Sequence, residues 1–264
     1  MVVNLKFARN EAQVYVMLSR AQNIRQIYII DKLYEEKWKA SRSGLTEFQS
    51  GLENAINIQQ AKEIKDFEIV SLNILSLRKH YKDLLRNCQN REFNVINLQE
   101  TWLEPNMDAS IYSIENKIPH LNSIGRGKGL ATYVEKEFVL REFICDELCQ
   151  LMKVSREDIE IVNVYRSQEC RDFQEKLNFV VDLSRPTIVC GDTNIDISKD
   201  SGKSFVEFMK KLGFTQLVTQ PTHDRGGLLD HVWVTADLVE KARVIQTAVY
   251  FSDHDILTIQ LSNM

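Results

Sequence analysis

The stretch TIVCGDTN, residues 187–194, decides how this chain is read. Ile188, Val189 and Cys190 run into Gly191, Asp192, Thr193 and Asn194. A short apolar run that stops at Gly-Asp-x-Asn reads as a buried strand turning out of a sheet. The same design recurs along the chain. Asn73 ends FEIVSLN, Glu100 follows FNVINLQ, and Tyr165 ends IEIVNVY. Asp230 and His231 sit in LLDHVWVT, and Ser252, Asp253 and His254 precede ILTIQLS. Taken singly, each is an ordinary turn, loop or packing residue. Taken together, they place acids, amides and an imidazole at strand ends, where a rigid sheet presents chemistry. Such a set converging on one pocket suits Mg²⁺ and a phosphate.

GLATYV and ARVIQTAVYF complete eight strand candidates from Phe67 onward. Between them, Leu77, Tyr81, Leu84, Leu85 and Cys88 form an apolar stripe at helical spacing. Phe173, Leu177, Val180 and Val181 form a second, and Phe205, Phe208, Met209 and Leu212 a third. Many strands and few helices predict two packed sheets with helices outside. Residues 1–66 have a different texture. NEAQVYVMLSRAQN and TEFQSGLENAINIQQAKEI read as helices, QIYII as a short buried strand, and KLYEEKWKASRSGL as a charged connection.

A chain of 264 residues holds one or two domains and has ample length for a core. No apolar run reaches membrane-spanning length, and the first residues lack a secretory apolar stretch. The five cysteines include no CxxC, which reads as reduced thiols in an intracellular protein. Residues 1–66 carry ten Lys/Arg against eight Asp/Glu, net +2, whereas 67–264 carry 23 against 29, net −6. A strongly basic footprint for nucleic acid is therefore missing. Several of the acids belong to the proposed metal site.

The order NxxSL, QET, VNVY, GDxN, LDHV and SDH across 67–264 resembles the endonuclease/exonuclease/phosphatase superfamily. The resemblance implies a four-layer α/β/β/α sandwich of the DNase I-like type. It implies Glu100 as principal metal ligand, with Asn73 holding Glu100, the metal or the phosphate, and Asp253 beside the metal. Asp192 would orient and deprotonate the attacking water. Asn194 would donate to a phosphate oxygen or position Asp192. His254, paired with Asp230, would contact the scissile phosphate, and Tyr165 would hydrogen-bond it or stabilise the leaving oxygen. Ser252 would orient its neighbours or cap a turn, and His231 is read as structural. Mg²⁺ is the implied cofactor, with Mn²⁺ as substitute. Three positions depart from the family pattern: Leu75, where a second Asn or Asp is common, Thr193 in place of Phe, and Tyr165-Arg166-Ser167-Gln168 in place of YxPN. NxxSL with His80, QETWL and the PTH/LDHV region look closest to endonucleases of mobile elements.

At the other end, QVYVMLSRA (residues 13–21) followed by QIYII resembles the last motif of superfamily-one helicases, those of Helitron-type transposons in particular. Arg20 would then match the arginine that contacts a nucleotide γ-phosphate. The chain has no GxxxxGK[ST] loop, so no ATP use is expected from it alone. The expected organisation is a helicase C-terminal remnant over 1–50, a helical linker over 51–66 and a nuclease domain over 67–264. The expected activity is Mg²⁺-dependent hydrolysis of DNA, with no membrane association and with a nuclear location consistent with it. A phosphatase of small phosphoesters or lipid headgroups, and an inactive element fragment, remain as alternatives.

Overall fold

The computed structural model describes residues 67–88 and 91–262, together with two short strands, Val2–Val3 (β1) and Tyr28–Ile29 (β2). The chain divides into two compact units, Met1–Ile64 and Lys65–Met264. In the first, β1 and β2 pair in parallel, and Tyr28–Ile29 falls within QIYII. The helices expected over residues 1–66, and Arg20 with them, lie outside the described residues.

The second unit runs β3 (Phe67–Asn73), α1 (Leu77–Cys88), β4 (Val95–Gln99), β5 (Ile118–Leu121), β6 (Leu130–Val134), β7 (Val139–Cys145), β8 (Cys149–Ser155) and β9 (Glu160–Arg166). It continues with α2 (Phe173–Val180), β10 (Thr187–Asp192), α3 (Lys203–Lys211), β11 (Phe214–Gln216), β12 (Asp230–Thr235), β13 (Ala242–Thr247) and β14 (Ile256–Leu261). Twelve strands form two six-stranded mixed sheets, ordered β13-β14-β3-β4-β6-β5 and β11-β12-β10-β9-β8-β7. Four of these strands, β5, β7, β8 and β11, go beyond the eight sequence candidates.

Each sheet contains one parallel pair, β3 with β4 and β9 with β10. A parallel pair needs a crossover, and α1 and α2 supply the two. The crossover brings the chain back to the same sheet end, which is what aligns the chemistry. Asn73 pairs with Gln99 in the first sheet. Asp192 pairs with Tyr165 on one side and Asp230 on the other in the second sheet.

Both faces of the central strands are buried, which is why they read as nearly continuous apolar runs. Ile69, Val95, Ile161, Ile188 and Val232 share one cluster drawn from both sheets. Val70, Leu72, Ile96 and Leu98 pack with Leu77 and Leu84 of α1. Val162, Val164, Val189 and Trp233 pack with Phe173 and Leu177 of α2 and Phe205 and Met209 of α3. The sheets therefore stack on each other, with α1 outside one and α2 and α3 outside the other.

The layer between the sheets is partly polar near the site. Gln99 Nε2 donates to Asn163 Oδ1 at 2.7 Å, and Asn163 Nδ2 donates to the Leu98 and Ala131 carbonyls. Paired buried amides of this kind fix one register between two faces that apolar packing alone would let slide. Gly191 sits where the fit is tightest. Its φ is +136°, and a Cβ there would lie 2.1 Å from the Val164 carbonyl oxygen. Only glycine meets both demands.

Candidate active site

Asn73, fully buried at the end of β3, joins the two sheets. Its Nδ2 donates to Glu100 Oε1 (3.1 Å) from the first sheet and to Asp192 Oδ2 (2.9 Å) from the second. Its Oδ1 accepts from Leu75 N at 3.3 Å. This amide therefore aligns two carboxylates across the gap between sheets. Glu100 receives a second donor, Trp102 Nε1 at 3.1 Å on Oε2. The other oxygen of Asp192 accepts from Asn194 N at 2.8 Å. Asn194 Nδ2 donates to the Arg166 carbonyl at 2.9 Å and leans on Asp192 Oδ2 at 3.4 Å. Asn194 thus holds Asp192 from the turn that follows it.

Beside this pair lies Asp230, 2% exposed. Its Oδ2 accepts from Thr222 Oγ1 at 2.6 Å and from His254 Nδ1 at 2.8 Å. Nδ1 therefore carries the proton, and Nε2 is left to the cleft. Ser252 anchors this segment to β3: its Oγ donates to the Asn73 carbonyl at 2.7 Å and accepts from His254 N at 3.1 Å. Asp253 Oδ1 lies 3.8 Å from His254 Nε2 and has no hydrogen-bond partner among the described residues. Tyr165, 6% exposed, donates its hydroxyl to the Gly127 carbonyl at 2.9 Å. It is near enough to Glu100 and Asp192 for their charges to raise it, after burial, well above the usual phenol range.

His231 faces the other way. Nε2 donates to the carbonyls of Ile195 (3.1 Å) and Leu228 (3.2 Å), and Nδ1 accepts from Trp233 Nε1 and approaches Thr193 Oγ1, each at 3.4 Å. Burial pushes this ring down to about 4, so it stays neutral. Thr193, standing where the family pattern has Phe, is buried and pairs with this histidine.

The backbone is bent into position at the same place. Among the described residues, six non-glycine positions have positive φ, and five of them carry the site: Leu75, Ser76, Glu100, Trp102 and Asn194. Ser76 N and Leu77 N donate to the Glu100 and Thr101 carbonyls (2.9 Å each), tying the β3–α1 loop to the loop after β4. Left-handed geometry costs on the order of 1 kcal/mol or more per residue and persists where surroundings overdetermine it.

A cleft of about 490 Å³ opens over these groups, lined among others by Glu100, Asn194, Asp253 and His254. Lys199, His223 and Arg225 line it too, and sequence reasoning named none of them as site residues. Two groups of side chains hold their ligand atoms within 4.8 Å of one another: Asp192, Asp230 and His254, and His223, Asp253 and His254. Glu100 stands outside both and is linked to Asp192 through Asn73.

The electrostatics are lopsided. Burial first, then the neighbouring Asp230, push the Asp192 carboxyl well above the ordinary carboxylate range, against the pull of His254 and two N–H donors. Burial works against charge on His254, but Asp230, with Asp192 and Asp253 behind it, outweighs burial and the ring is pushed up to about 9. Three carboxylates, Asp192, Asp230 and Asp253, act on this one ring, and Glu100 joins them through Asn73. Hard oxygen donors in excess over cationic side chains fit a divalent metal such as Mg²⁺. Glu100 and Asp253 are the oxygen donors that would hold it.

Two stacked mixed sheets with this acid, amide and histidine set at their strand ends define a DNase I-like hydrolase scaffold. The model of the Endonuclease/Exonuclease/phosphatase family matches residues 70–254, and the chain belongs to that family, whose members are hydrolases acting on phosphoester bonds. No curated protein matches the chain. Solved structures share the fold. An AP endonuclease from Archaeoglobus fulgidus is 17% identical with a TM-score of 0.60, over 74% of this chain and 99% of its own. A 3′ phosphatase from Neisseria bound to a product DNA hairpin is 15% identical with a TM-score of 0.60, over 74% and 99%. The endonuclease domain of TRAS1, a telomere-specific non-LTR retrotransposon, is 14% identical with a TM-score of 0.59, over 74% and 98%.

Proposed function

We propose that this chain is a divalent-metal-dependent phosphodiester hydrolase that cleaves DNA, an endonuclease of a Helitron-like or retrotransposon-like mobile element. The observation that carries this reading is the single Asn73 nitrogen holding Glu100 and Asp192 together, with the Asp230–His254 pair alongside. Asp192 is the proton acceptor: its raised affinity for a proton suits taking one from water near neutral pH. Asn194 and Asn73 fix its two oxygens so that the water is aligned before reaction. His254, held charged by Asp230, offers Nε2–H to a phosphoryl oxygen and stabilises charge that grows in the transition state. Bound Mg²⁺, or Mn²⁺, would supply charge neutralisation at the phosphoryl and leaving oxygens. Tyr165 hydrogen-bonds the phosphate or stabilises the leaving oxygen, its hydroxyl leaving the Gly127 carbonyl to do so.

DNA as substrate draws support from the Neisseria 3′ phosphatase, solved with DNA, and from the abasic-site and retrotransposon endonucleases of the same fold. Lys199 and Arg225 in the cleft wall give a polyanion local partners despite the acidic balance of the domain. The motifs QETWL and PTH/LDHV and the helicase-like YVMLSRA support the mobile-element origin, with residues 1–50 a helicase remnant that uses no ATP and a nuclear site of action. Among the described residues no helix is long and apolar enough to cross a membrane. The test sets nicking of supercoiled plasmid against phosphate release from inositol phosphates, each with Mg²⁺ and with chelator. Nicking that needs the metal is expected. Phosphate release without nicking would move the assignment to a small-phosphoester phosphatase.

A further inference from the structure

His223 lies in the turn after Pro221 and Thr222, and the mechanism above gives it no part. Its side chain is 13% exposed, and its ring stands edge-on to His254 with centroids 4.7 Å apart. With Asp253 and His254 it makes a histidine–carboxylate–histidine cluster that has the look of a metal triad. The hydrogen bonds say otherwise. The backbone N–H of Arg225 donates to His223 Nδ1 at 2.9 Å. A backbone N–H is a donor under all conditions, so Nδ1 must present its lone pair and cannot hold a proton. The ring proton is then on Nε2, which faces Asp253 Oδ2 at 3.4 Å. An imidazole in this state has no lone pair left for a cation.

The consequence falls on Asp253. One of its oxygens faces a fixed donor, and the other is turned to His254 Nε2 at 3.8 Å without a hydrogen-bond partner among the described residues. The main chain holds the same arrangement, because Asp224 N donates to the Asp253 carbonyl at 2.9 Å and Asp255 N to the Thr222 carbonyl at 2.8 Å. We propose that His223 is a positioning residue: locked with its proton on Nε2, it turns that N–H toward Asp253 Oδ2 and sets how the carboxylate meets His254 and the cleft. This rests on the hydrolytic reading of the site.

Two variants separate positioning from mere turn closure. His223→Asn keeps an acceptor within reach of Arg225 N and loses the far donor. His223→Gln restores an N–H near the position of Nε2 and abandons Arg225. Plasmid nicking by the full chain should fall about tenfold in kcat, with little change in KM, for His223→Asn, and stay within about threefold for His223→Gln. The reverse order, or equal activity in both, overturns the proposal. A second readout does not depend on activity. Nitrogen NMR of the ring should show Nδ1 as an acceptor and Nε2 protonated, with that proton kept on adding Zn²⁺. Protonation at Nδ1, or loss of the Nε2 proton to Zn²⁺, also overturns it. A wild-type chain that hydrolyses nothing would instead count against the hydrolytic reading, and the nitrogen spectra would still decide the state of His223.

Discussion

Replacing Asp230 by Asn removes one charge from the buried pair while keeping its shape. His254 is pushed from an ordinary 6.5 up to about 9, and Asp230 is the main cause that raises it. Two and a half units correspond to roughly 3 kcal/mol of preference for the imidazolium. With Asn at this position burial still opposes the charge, so the ring should titrate well below 9. The folded ring binds its proton more tightly than the unfolded one, so the stabilisation is complete below pH 6.5. It is lost as pH rises through about 9. The wild-type chain should therefore lose on the order of 3 kcal/mol of stability between those limits that Asp230→Asn does not lose. The assay is NMR titration of the His254 ring in both proteins, joined to denaturant unfolding at pH 6 and pH 9. A ring that still titrates near 9 in the variant would refute the assignment of Asp230 as its partner. The alkaline limb of hydrolysis should move down in step with the ring.

Trp102→Phe keeps an aromatic ring and removes the donor to Glu100 Oε2, so the Mg²⁺ concentration for half-maximal nicking should rise about tenfold, and an unchanged value would contradict a positioning role. Gly191→Ala forces a Cβ to 2.1 Å from the Val164 carbonyl, and a loss of about 3 kcal/mol or more in unfolding free energy is expected by denaturant titration. His231, neutral in the fold and pushed down to about 4, should make stability fall as pH drops from 6.5 to about 4, because only the unfolded ring takes up a proton there. His231→Gln should flatten that acid slope, and an identical slope would show that other groups dominate it.

The fold was legible where both faces of a strand are buried, as in TIVCGD and FEIVSLN, whose bounds coincide with β10 and β3. It was hidden where that rule fails. β7 is an edge strand exposed on nearly every residue, so VLREFIC carries no useful periodicity. β8 is buried throughout, but Gln150 and Lys153 break its apolar run. Gln150 takes a donor from Gly129 N and Lys153 pairs with Glu160 at 3.5 Å, compensations that no local pattern announces. β11 has three residues and β5 contains a proline. The acids and amides at strand ends were legible because a sheet presents its strand ends together. Trp102, Thr222 and His223 were not. Their meaning depends on loops folding back onto Glu100, Asp230 and Asp253, and each type is common in loops. The pairing of LDHV with a preceding PTH was the only cue to Thr222 and His223. The helicase-like motif of residues 13–21 stands on sequence resemblance alone.

The most direct test of one shared hydrolytic centre is a double-mutant cycle on plasmid nicking with Mg²⁺, using the full chain, Glu100→Gln, Asp192→Asn and both together. Each single change should cost about a hundredfold or more. Residues that act as a unit are strongly non-additive, so the double variant should be scarcely slower than either single one. Losses that multiply, or a single variant that nicks at the wild-type rate, would contradict a centre built from Glu100, Asn73 and Asp192.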